Sequence, residues 1–332
     1  MKFLFVRLSS IGDVVLTTPL VRALAARYPN AELHFLTKAP YVPLLKHHPL
    51  IKAVHTWPPA PELVAERWEG VVDLQKNLRT LPLRWRLRYR RFATFPKENL
   101  RKWLMVRGWG WWKLRHVVLR YGEALRPWGV RPEALGPLEV HVPSVVRKRV
   151  QAACAAAGLI PGKWIAVGLG GTYATKRWPI GYWVELLQRL GEPVALLGGG
   201  AERSDAEALA HQLSQPVLVA AGQFDLLETA ALLAEASLLL SHDTGTAHLG
   251  AAMGTPTVVL WGNTVPEFGM EPWQVPHLNI EALHLSCRPC SKLGYAACPR
   301  GHHDCVRALT PAYVLAQVEA FLQSLPQQAQ GL

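Results

Sequence analysis

A polar segment between two apolar runs, "SHDTGTAHLG" at residues 241–250, combines an acid, a hydroxyl, a glycine and an imidazole. The flanking runs "SLLL" and "TVVLW" predict buried strands, with a turn and a short helix between them. Thr244 and Gly245 then lie after Asp243 at the helix N-terminus, where free N–H groups favour phosphate and glycine permits close approach to the backbone. His248 shares a helix face with Thr244, although a lone histidine is more often structural.

The turn "SSIGD" at residues 9–13 carries an acid at the predicted C-terminal end of the first strand. Gly12 permits a tight turn, and Ser9 and Ser10 precede it. Asp13 has two interpretations: it caps the next helix and favours its dipole, or it is a general base.

Two glycine-rich turns follow strands in the second half of the chain. "GGTYATKRWP" at 170–179 contains Thr172 and Lys176 and suits an anion, although it lacks P-loop spacing and could be a solvated loop. "GGGAE" at 198–202 lacks dinucleotide-binding spacing. Glu202 either binds ribose hydroxyls or lies in the first turn of a helix.

The four cysteines Cys287, Cys290, Cys298 and Cys305 fall within 19 residues, whereas Cys154 is isolated. Their spacing, C-x2-C-x7-C-x6-C, forms a usable tetrahedral ligand set for Zn²⁺ or an Fe–S cluster. Four thiolates leave no open coordination position, so such a metal would be structural. The alternative is a loop of free or transiently bridged thiols.

The net charge of +12 is concentrated in one segment. Residues 76–120 contain 14 Lys and Arg against one acid, Glu98, which gives +13, and five of the 13 Trp residues. This composition suits a polyanionic surface, whether nucleic acid or anionic lipid. The alternative is a solvated face whose Trp side chains turn into the core.

The elements that must position these turns alternate between strand and helix, which predicts parallel sheets with covering helices. We predict two Rossmann-like α/β domains, 1–155 and 156–332, with a basic helical insertion at 76–130 and a Cys-rich segment at 287–305 before a final helix. Residues 136–143 are an edge strand or a linker. Ligands of such sheets bind at strand carboxyl ends, so a cleft between the domains is the expected site.

The 332-residue chain has no apolar run of the ~20 residues that a membrane helix needs. Its first apolar stretch is too short for a signal peptide, which predicts a cytoplasmic protein.

Three segments, "VRLSSIGDVVLTTPLVRAL", "TKRWP" and "SHDTGTAHLGAAMGTPTVVLWG", resemble the motifs of glycosyltransferase family 9, the heptosyltransferases of lipopolysaccharide core synthesis. The Cys-rich tail is more similar to the heptosyltransferase II type. The resemblance implies a GT-B fold, two Rossmann-like domains facing across a cleft. It also implies an inverting mechanism, an ADP-activated sugar donor, no catalytic cofactor, and an acidic, lipid-linked glycan acceptor bound by the N-terminal domain.

The resemblance also implies roles for individual residues. Asp13 would be the catalytic base in a loop shaped by Ser9, Ser10 and Gly12. Lys176 and Thr172 would contact the donor diphosphate, Glu202 the ribose and Phe224 the adenine. The phosphate and sugar end of the pocket would be formed by Asp243, Thr244, Gly245 and His248. Gly171 stands where relatives can have threonine.

The basic segment then predicts peripheral docking at the inner face of an anionic membrane, with no nucleic-acid partner. Two other classes compete with this interpretation. A non-enzymatic nucleic-acid binder explains the charge but not the paired polar turns, and an NAD(P) oxidoreductase lacks GxGxxG after the first strand.

Overall fold

A computed structural model describes residues 1–325, which divide into two compact units. The first consists of Met1–Glu98 and Arg115–His141, and the second of Asn99–Leu114 and the described residues from Val142 onward. The predicted boundary at 155/156 therefore differs from the observed division, because residues 99–114 and 142–155 group with the second unit. The last seven residues of the predicted C-terminal domain lie outside the described residues.

The first unit is built on a parallel five-stranded sheet with the order β3-β2-β1-β4-β5. Its strands are β1 (Lys2–Val6), β2 (Glu32–Thr37), β3 (Ile51–Thr56), β4 (Arg67–Asp73) and β5 (Arg88–Thr94). Its helices are α1 (Ile11–Val15), α2 (Thr18–Arg27), α3 (Pro43–Lys46), α4 (Pro61–Ala65), α5 (Leu83–Arg86) and α7 (Val117–Gly122). Four of the five residues of β1 are fully buried, as expected for a central parallel strand covered on both faces.

The second unit contains a parallel six-stranded sheet with the order β11-β10-β9-β6-β7-β8. Its strands are β6 (Ile165–Gly168), β7 (Val194–Leu197), β8 (Val217–Val219), β9 (Leu238–His242), β10 (Thr257–Trp261) and β11 (His277–Glu281). Its helices are α6 (Asn99–Val106), α8 (Ser144–Ala156), α9 (Ile180–Leu190), α10 (Arg203–Ala210), α11 (Leu226–Ala234), α12 (Gly245–Ala252), α13 (Asp304–Arg307) and α14 (Pro311–Ser324). The two parallel α/β sheets confirm the predicted fold class.

The prediction of a helical insertion at 76–130 is wrong for its central part. Residues 88–94, "RYRRFAT", form β5, the edge strand beside β4. Arg88, Arg90 and Arg91 are exposed on it, and charged residues on an edge strand discourage pairing with another chain. For residues 136–143 the sequence predicts an edge strand or a linker. They form no strand, so the linker is the correct alternative.

The second sheet brings several predicted turns to one edge. Strands β9, β6 and β7 are neighbours in the sheet, and Gly168 at the end of β6 pairs with Ser241. Helix α12 packs closely on β9, because a Cβ added at Gly250 would lie 2.4 Å from Leu239 Cδ2. Among the described residues, no helix is both long and apolar enough to cross a membrane.

Candidate active site

Three of the four predicted turns converge in the second unit at the carboxyl ends of β6, β7 and β9. A Cβ built at Gly171 would lie 3.7 Å from Thr244 Cγ2, and one at Gly170 would lie 3.8 Å from a Glu202 carboxylate oxygen. The structure therefore groups the loop after β6 with the turns that carry Thr244 and Glu202. This grouping follows from the strand order, because carboxyl ends of neighbouring parallel strands meet at one edge.

Lys176 forms the central ion pair of this group. Its Nζ lies 2.6 Å from Asp243 Oδ2 and donates to the Asp243 carbonyl oxygen at 2.8 Å, while Thr264 Oγ1 donates to Oδ2 at 2.8 Å. Burial raises the pKa of Asp243, but the charge and hydrogen bonds of Lys176 outweigh burial and hold the pKa below its ordinary value. The pair fixes a cation beside the N-terminus of α12.

The N-terminus of α12 has the predicted arrangement. Thr244 is the N-cap residue, with extended backbone (φ −141°, ψ 175°) and no side-chain capping hydrogen bond. Gly245 is the first helical residue, and His248 lies one turn further on with 4 % of its surface exposed. The first N–H groups of a helix have no intrahelical acceptor, so this end of α12 favours an anion.

Glu202 is 8 % exposed, and both its oxygens are engaged. Oε1 lies 2.9 Å from an Arg177 guanidinium nitrogen, and Oε2 accepts from Gly199 N at 2.9 Å in a capping arrangement. Glu202 therefore lies in the first turn of a helix, as one of its two interpretations expected. Its binding to ribose stays a prediction. Arg177, which sequence reasoning did not select, also donates to the Gly171 carbonyl oxygen at 2.9 Å and so closes the loop after β6.

The remaining donor-side residues have no described side-chain contact with this group. Thr172 is exposed in the loop after β6, and Phe224 is half-buried after β8, with its N–H donating to the Ala220 carbonyl oxygen at 2.9 Å. Their assignment to diphosphate and adenine stays a prediction.

In the first unit, Asp13 lies in the first turn of α1, where it forms a capping box with Ser10. Asp13 Oδ2 accepts from Ser10 N at 3.1 Å and from Ser10 Oγ at 3.0 Å. The side chain is nevertheless 25 % exposed, so the cap does not seal the carboxylate from solvent. Gly12 is a buried helical residue without a positive φ, so the expected tight turn does not depend on its conformational freedom. Ser9 supplies a carbonyl oxygen that accepts from Arg7 Nε at 2.9 Å.

Arg7 and Tyr121 complete the surroundings of Asp13, and sequence reasoning missed both. A guanidinium nitrogen of Arg7 lies 2.6 Å from Asp13 Oδ1, and the Tyr121 hydroxyl donates to the same oxygen at 3.2 Å. Burial raises the pKa of Asp13, but the Arg7 charge and the Ser10 hydrogen bonds outweigh it and lower the pKa overall. Burial raises the pKa of Tyr121, which keeps its phenol protonated as a donor.

The four clustered cysteines line one small cavity in the second unit, together with Thr175, Asn263 and His302. Burial, and then the neighbouring Cys287 and Cys298, raise the pKa of Cys290, and burial raises that of Cys305 to about 11. All four are free thiols. Among the described residues, no three of these sulfurs lie within 4.8 Å of one another, whereas thiolates sharing one Zn²⁺ lie about 3.8 Å apart.

Within the described chain, three possible metal ligands do have their ligand atoms within 4.8 Å of one another: His48, Glu139 and His141. The negative charge of Glu139 is already paired with Arg22, whose guanidinium donates to the two carboxylate oxygens at 2.8 and 2.6 Å. Leu50 N donates to His48 Nδ1 at 3.2 Å, so the ring nitrogen that carries a proton is Nε2, 3.2 Å from Glu139. A protonated Nε2 and an adjacent guanidinium do not suit a cation, so this group is an ion-pair network.

Comparison with known proteins identifies the family of these motifs. The model of glycosyltransferase family 9 (heptosyltransferase) matches residues 110–297, more than half of the chain. Lipopolysaccharide heptosyltransferase 1 of Pseudomonas aeruginosa is 27% identical over 97% of this chain and 98% of its own length.

Two solved structures show the same fold. A family 9 glycosyl transferase from Veillonella parvula superposes with a TM-score of 0.79 at 20% identity and covers 98% of both chains. E. coli ADP-heptose lps heptosyltransferase II superposes with a TM-score of 0.74 at 21% identity, covering 97% of this chain and 99% of that chain.

Proposed function

Because the chain belongs to glycosyltransferase family 9 and is a glycosyltransferase, we propose that it transfers heptose or a related sugar, with inversion, from an ADP-activated donor. The acceptor is a lipopolysaccharide-core-like or other cell-envelope glycan. The observation that carries this proposal is the Lys176–Asp243 pair beside the N-terminus of α12. The family assignment removes the non-enzymatic alternative.

The donor-side chemistry is stabilisation of a leaving group. When the bond between the anomeric carbon and the diphosphate breaks, negative charge grows on ADP. The Lys176 ammonium and the positive end of α12 are fixed before the reaction, so they stabilise that charge without reorganisation. Asp243 orients Lys176, while Thr244, Gly245 and His248 surround the phosphate and sugar end. Thr172, Glu202 and Phe224 complete the site at the diphosphate, ribose and adenine.

Asp13 is the general base of this proposal. Its lowered pKa keeps the carboxylate ionised at neutral pH. It takes the proton of the acceptor hydroxyl as that oxygen attacks the anomeric carbon, and the electron pair of the broken bond leaves with ADP. Arg7 and the Tyr121 hydroxyl hold Oδ1, and Ser10 donates to Oδ2 from its N–H and its hydroxyl. We assign proton uptake to Oδ2, the oxygen that is not paired with the Arg7 guanidinium.

Exposed aromatic and basic side chains support docking on an anionic membrane. Of the 14 Lys and Arg in residues 76–120, eleven are exposed. Trp85 is 73% exposed in the first unit, and Trp109, Trp111 and Trp112 are 66%, 55% and 36% exposed in the second. Tryptophan at an interface and cations near anionic lipid both favour a peripheral position.

We propose that the cysteine-lined cavity closes on a structural metal when one binds, because its four thiols do not lie at the spacing of zinc ligands without one. Four thiol groups, Cys287, Cys290, Cys298 and Cys305, are a tetrahedral donor set for zinc, and the buried Nδ2 of Asn263 has no hydrogen-bond partner among the described residues. An N–H donor beside thiolates is the usual surrounding of such sites. We expect about one metal ion per chain by elemental analysis of purified protein. A preparation from metal-supplemented cells that holds neither zinc nor iron contradicts this expectation.

Mass spectrometry of the purified protein incubated with a panel of nucleotide sugars tests the donor assignment. The expected result is ADP-heptose binding in preference to UDP-, GDP- and CMP-sugars, and transfer to a purified lipid-linked core acceptor. Binding of another nucleotide class, or no transfer from any ADP-sugar, overturns the proposal.

A further inference from the structure

The loop that carries Lys176 is attached to the Cys-rich segment at Thr175, through its buried hydroxyl and its backbone N–H. Thr175 is 1% exposed, and its Oγ1 accepts from Tyr295 N at 2.9 Å. The same oxygen lies 3.1 Å from Asn263 Oδ1 and 3.2 Å from the Tyr295 carbonyl oxygen, and these two acceptors share its single hydroxyl proton. Thr175 N also donates to the Tyr295 carbonyl oxygen at 3.3 Å.

Asn263 continues this attachment to the cysteines. It is fully buried after β10, and its carbonyl oxygen accepts from Cys290 N at 3.3 Å. Its side chain lines the cysteine cavity together with Thr175, and its Nδ2 is the atom that has no partner among the described residues. The Asn263 side chain therefore borders the cysteines on one side and reaches Thr175 through Oδ1 on the other.

Little space separates these parts. A Cβ added at Gly262 would lie 2.5 Å from the Thr175 carbonyl oxygen, and one added at Gly294 would lie 2.5 Å from the Tyr173 side chain. The loop from Tyr173 to Lys176 is therefore packed against the Cys-rich segment as well as hydrogen-bonded to it. If the Cys-rich segment moves, Thr175 moves with it, and so does the adjacent Lys176.

We propose that Thr175 and Asn263 are positioning residues that transmit the state of the cysteine site to the Lys176 loop. A metal bound by the cysteines would fix the Cys-rich segment. Thr175 and Asn263 would pass that constraint to the loop, and Lys176 would be held ready for the donor diphosphate. The consequence for ADP rests on the proposed function. The link between the cysteines and the loop does not.

The test is a double-mutant cycle with two readouts. Thr175→Val removes the hydroxyl at nearly constant volume, Cys298→Ser weakens the cysteine site, and the double variant combines them. Hydrogen–deuterium exchange of the amides of 170–177 measures the loop, and calorimetry measures ADP affinity. Each single change should speed exchange and weaken ADP binding about tenfold, and the double variant should add little, because both changes break one connection.

Two control variants distinguish a specific effect on the Lys176 loop from a general loss of stability. Thr175→Ser keeps the hydroxyl and should restore exchange and ADP affinity to wild-type values. Thr255→Val removes another buried hydroxyl of the same unit, one that donates to the Leu233 carbonyl oxygen at 2.7 Å. It should lower the melting temperature without changing the exchange of 170–177. Donor KM should rise in Thr175→Val more than kcat falls.

The outcomes distinguish this inference from the proposed function. Additive effects of the two changes, or exchange of 170–177 that Cys298→Ser leaves unchanged, overturn the link. Coupled exchange in a protein that binds no ADP supports the link and overturns the donor assignment instead. If Thr175→Val does not fold, the comparison of Cys298→Ser with wild type still decides whether the cysteines reach the loop.

Discussion

At the scale of single residues, two carboxylates hold their charge for different purposes. Asp243 is bound to a lysine in the second unit, whereas Asp13 is bound to an arginine in the first. Both pKa values are lowered against the effect of burial, so both groups are ionised at neutral pH. We assign Asp243 to orienting a cation and Asp13 to accepting a proton.

Asp13→Asn should reduce kcat by roughly 10²–10⁴-fold, because asparagine cannot accept a proton from the acceptor hydroxyl. ADP-sugar affinity should stay near the wild-type value, since the proposed donor residues all lie in the second unit. Steady-state kinetics with calorimetry of donor binding measures both quantities. A variant that keeps more than about a tenth of wild-type kcat contradicts the general-base role.

Arg7→Met should move the acidic limb of the pH–kcat profile to higher pH. The Arg7 cation lowers the pKa of Asp13 and burial raises it, so removing the cation raises the pKa. The base then becomes protonated at a higher pH, by about one unit or more. Arg7→Lys keeps the charge and serves as the control. An unchanged limb in Arg7→Met would show that Asp13 is not the titrating base.

At the scale of elements, the sequence predicts the helices and strands whose apolar residues are periodic or whose ends are marked by glycine, proline or polar turns. Strands β1 and β9 and helix α12 follow from apolar runs bounded by glycine and polar turns. The edge strand β5 is hard to predict because its arginines obscure the period of two, and β11 is too weakly apolar to stand out. Tyr121 contacts Asp13 from 108 residues away, a distance over which sequence spacing carries no signal.

Gly262→Ala should weaken ADP binding several-fold, because its Cβ would lie 2.5 Å from the Thr175 carbonyl oxygen and force the Lys176 turn to shift. Overpacking of this kind costs about 1–3 kcal/mol of folding free energy. The matched control is Gly181→Ala at the start of α9, where an added Cβ meets nothing within 4 Å. Thermal denaturation and ADP calorimetry compare the two. Equal ADP affinity in both variants would refute the steric argument.

At the scale of the whole molecule, the net positive charge of +12 lies entirely in residues 76–120, which carry +13, while the rest of the chain sums to −1. The charge alone does not distinguish a membrane from another polyanion. On the edge strand β5 the same arginines also discourage pairing between sheets. A binding measurement therefore has to vary lipid composition and salt together.

Changing Arg84, Arg86, Arg88, Arg90 and Arg91 together to Gln should lower binding to anionic vesicles and raise the apparent KM for lipid-linked acceptor. Each cation near an anionic surface contributes about 1 kcal/mol, and salt screens it over about 8 Å at physiological ionic strength. ADP affinity should not change. Vesicle sedimentation at low and high salt measures the effect.

The control for this variant removes five exposed cations from elsewhere in the chain. These are Arg27, Arg131, Lys148, Lys163 and Arg189. If both sets reduce vesicle binding equally, net charge explains the result. If the arginine variant binds vesicles as well as wild type at low salt, the segment is a solvated face.

The division of the chain into units has a consequence for dissecting it genetically. Residues 99–114 belong to the second unit although they lie within the sequence span of the first. Met105 packs there with Val265 and Phe268, and Leu114 N donates to the Glu267 carbonyl oxygen at 2.9 Å. A C-terminal half expressed from residue 142 leaves that apolar cluster uncovered, and an N-terminal half carries the missing piece without its partner surface. The second unit is therefore better isolated as a circular permutant that retains 99–114 than as a simple truncation.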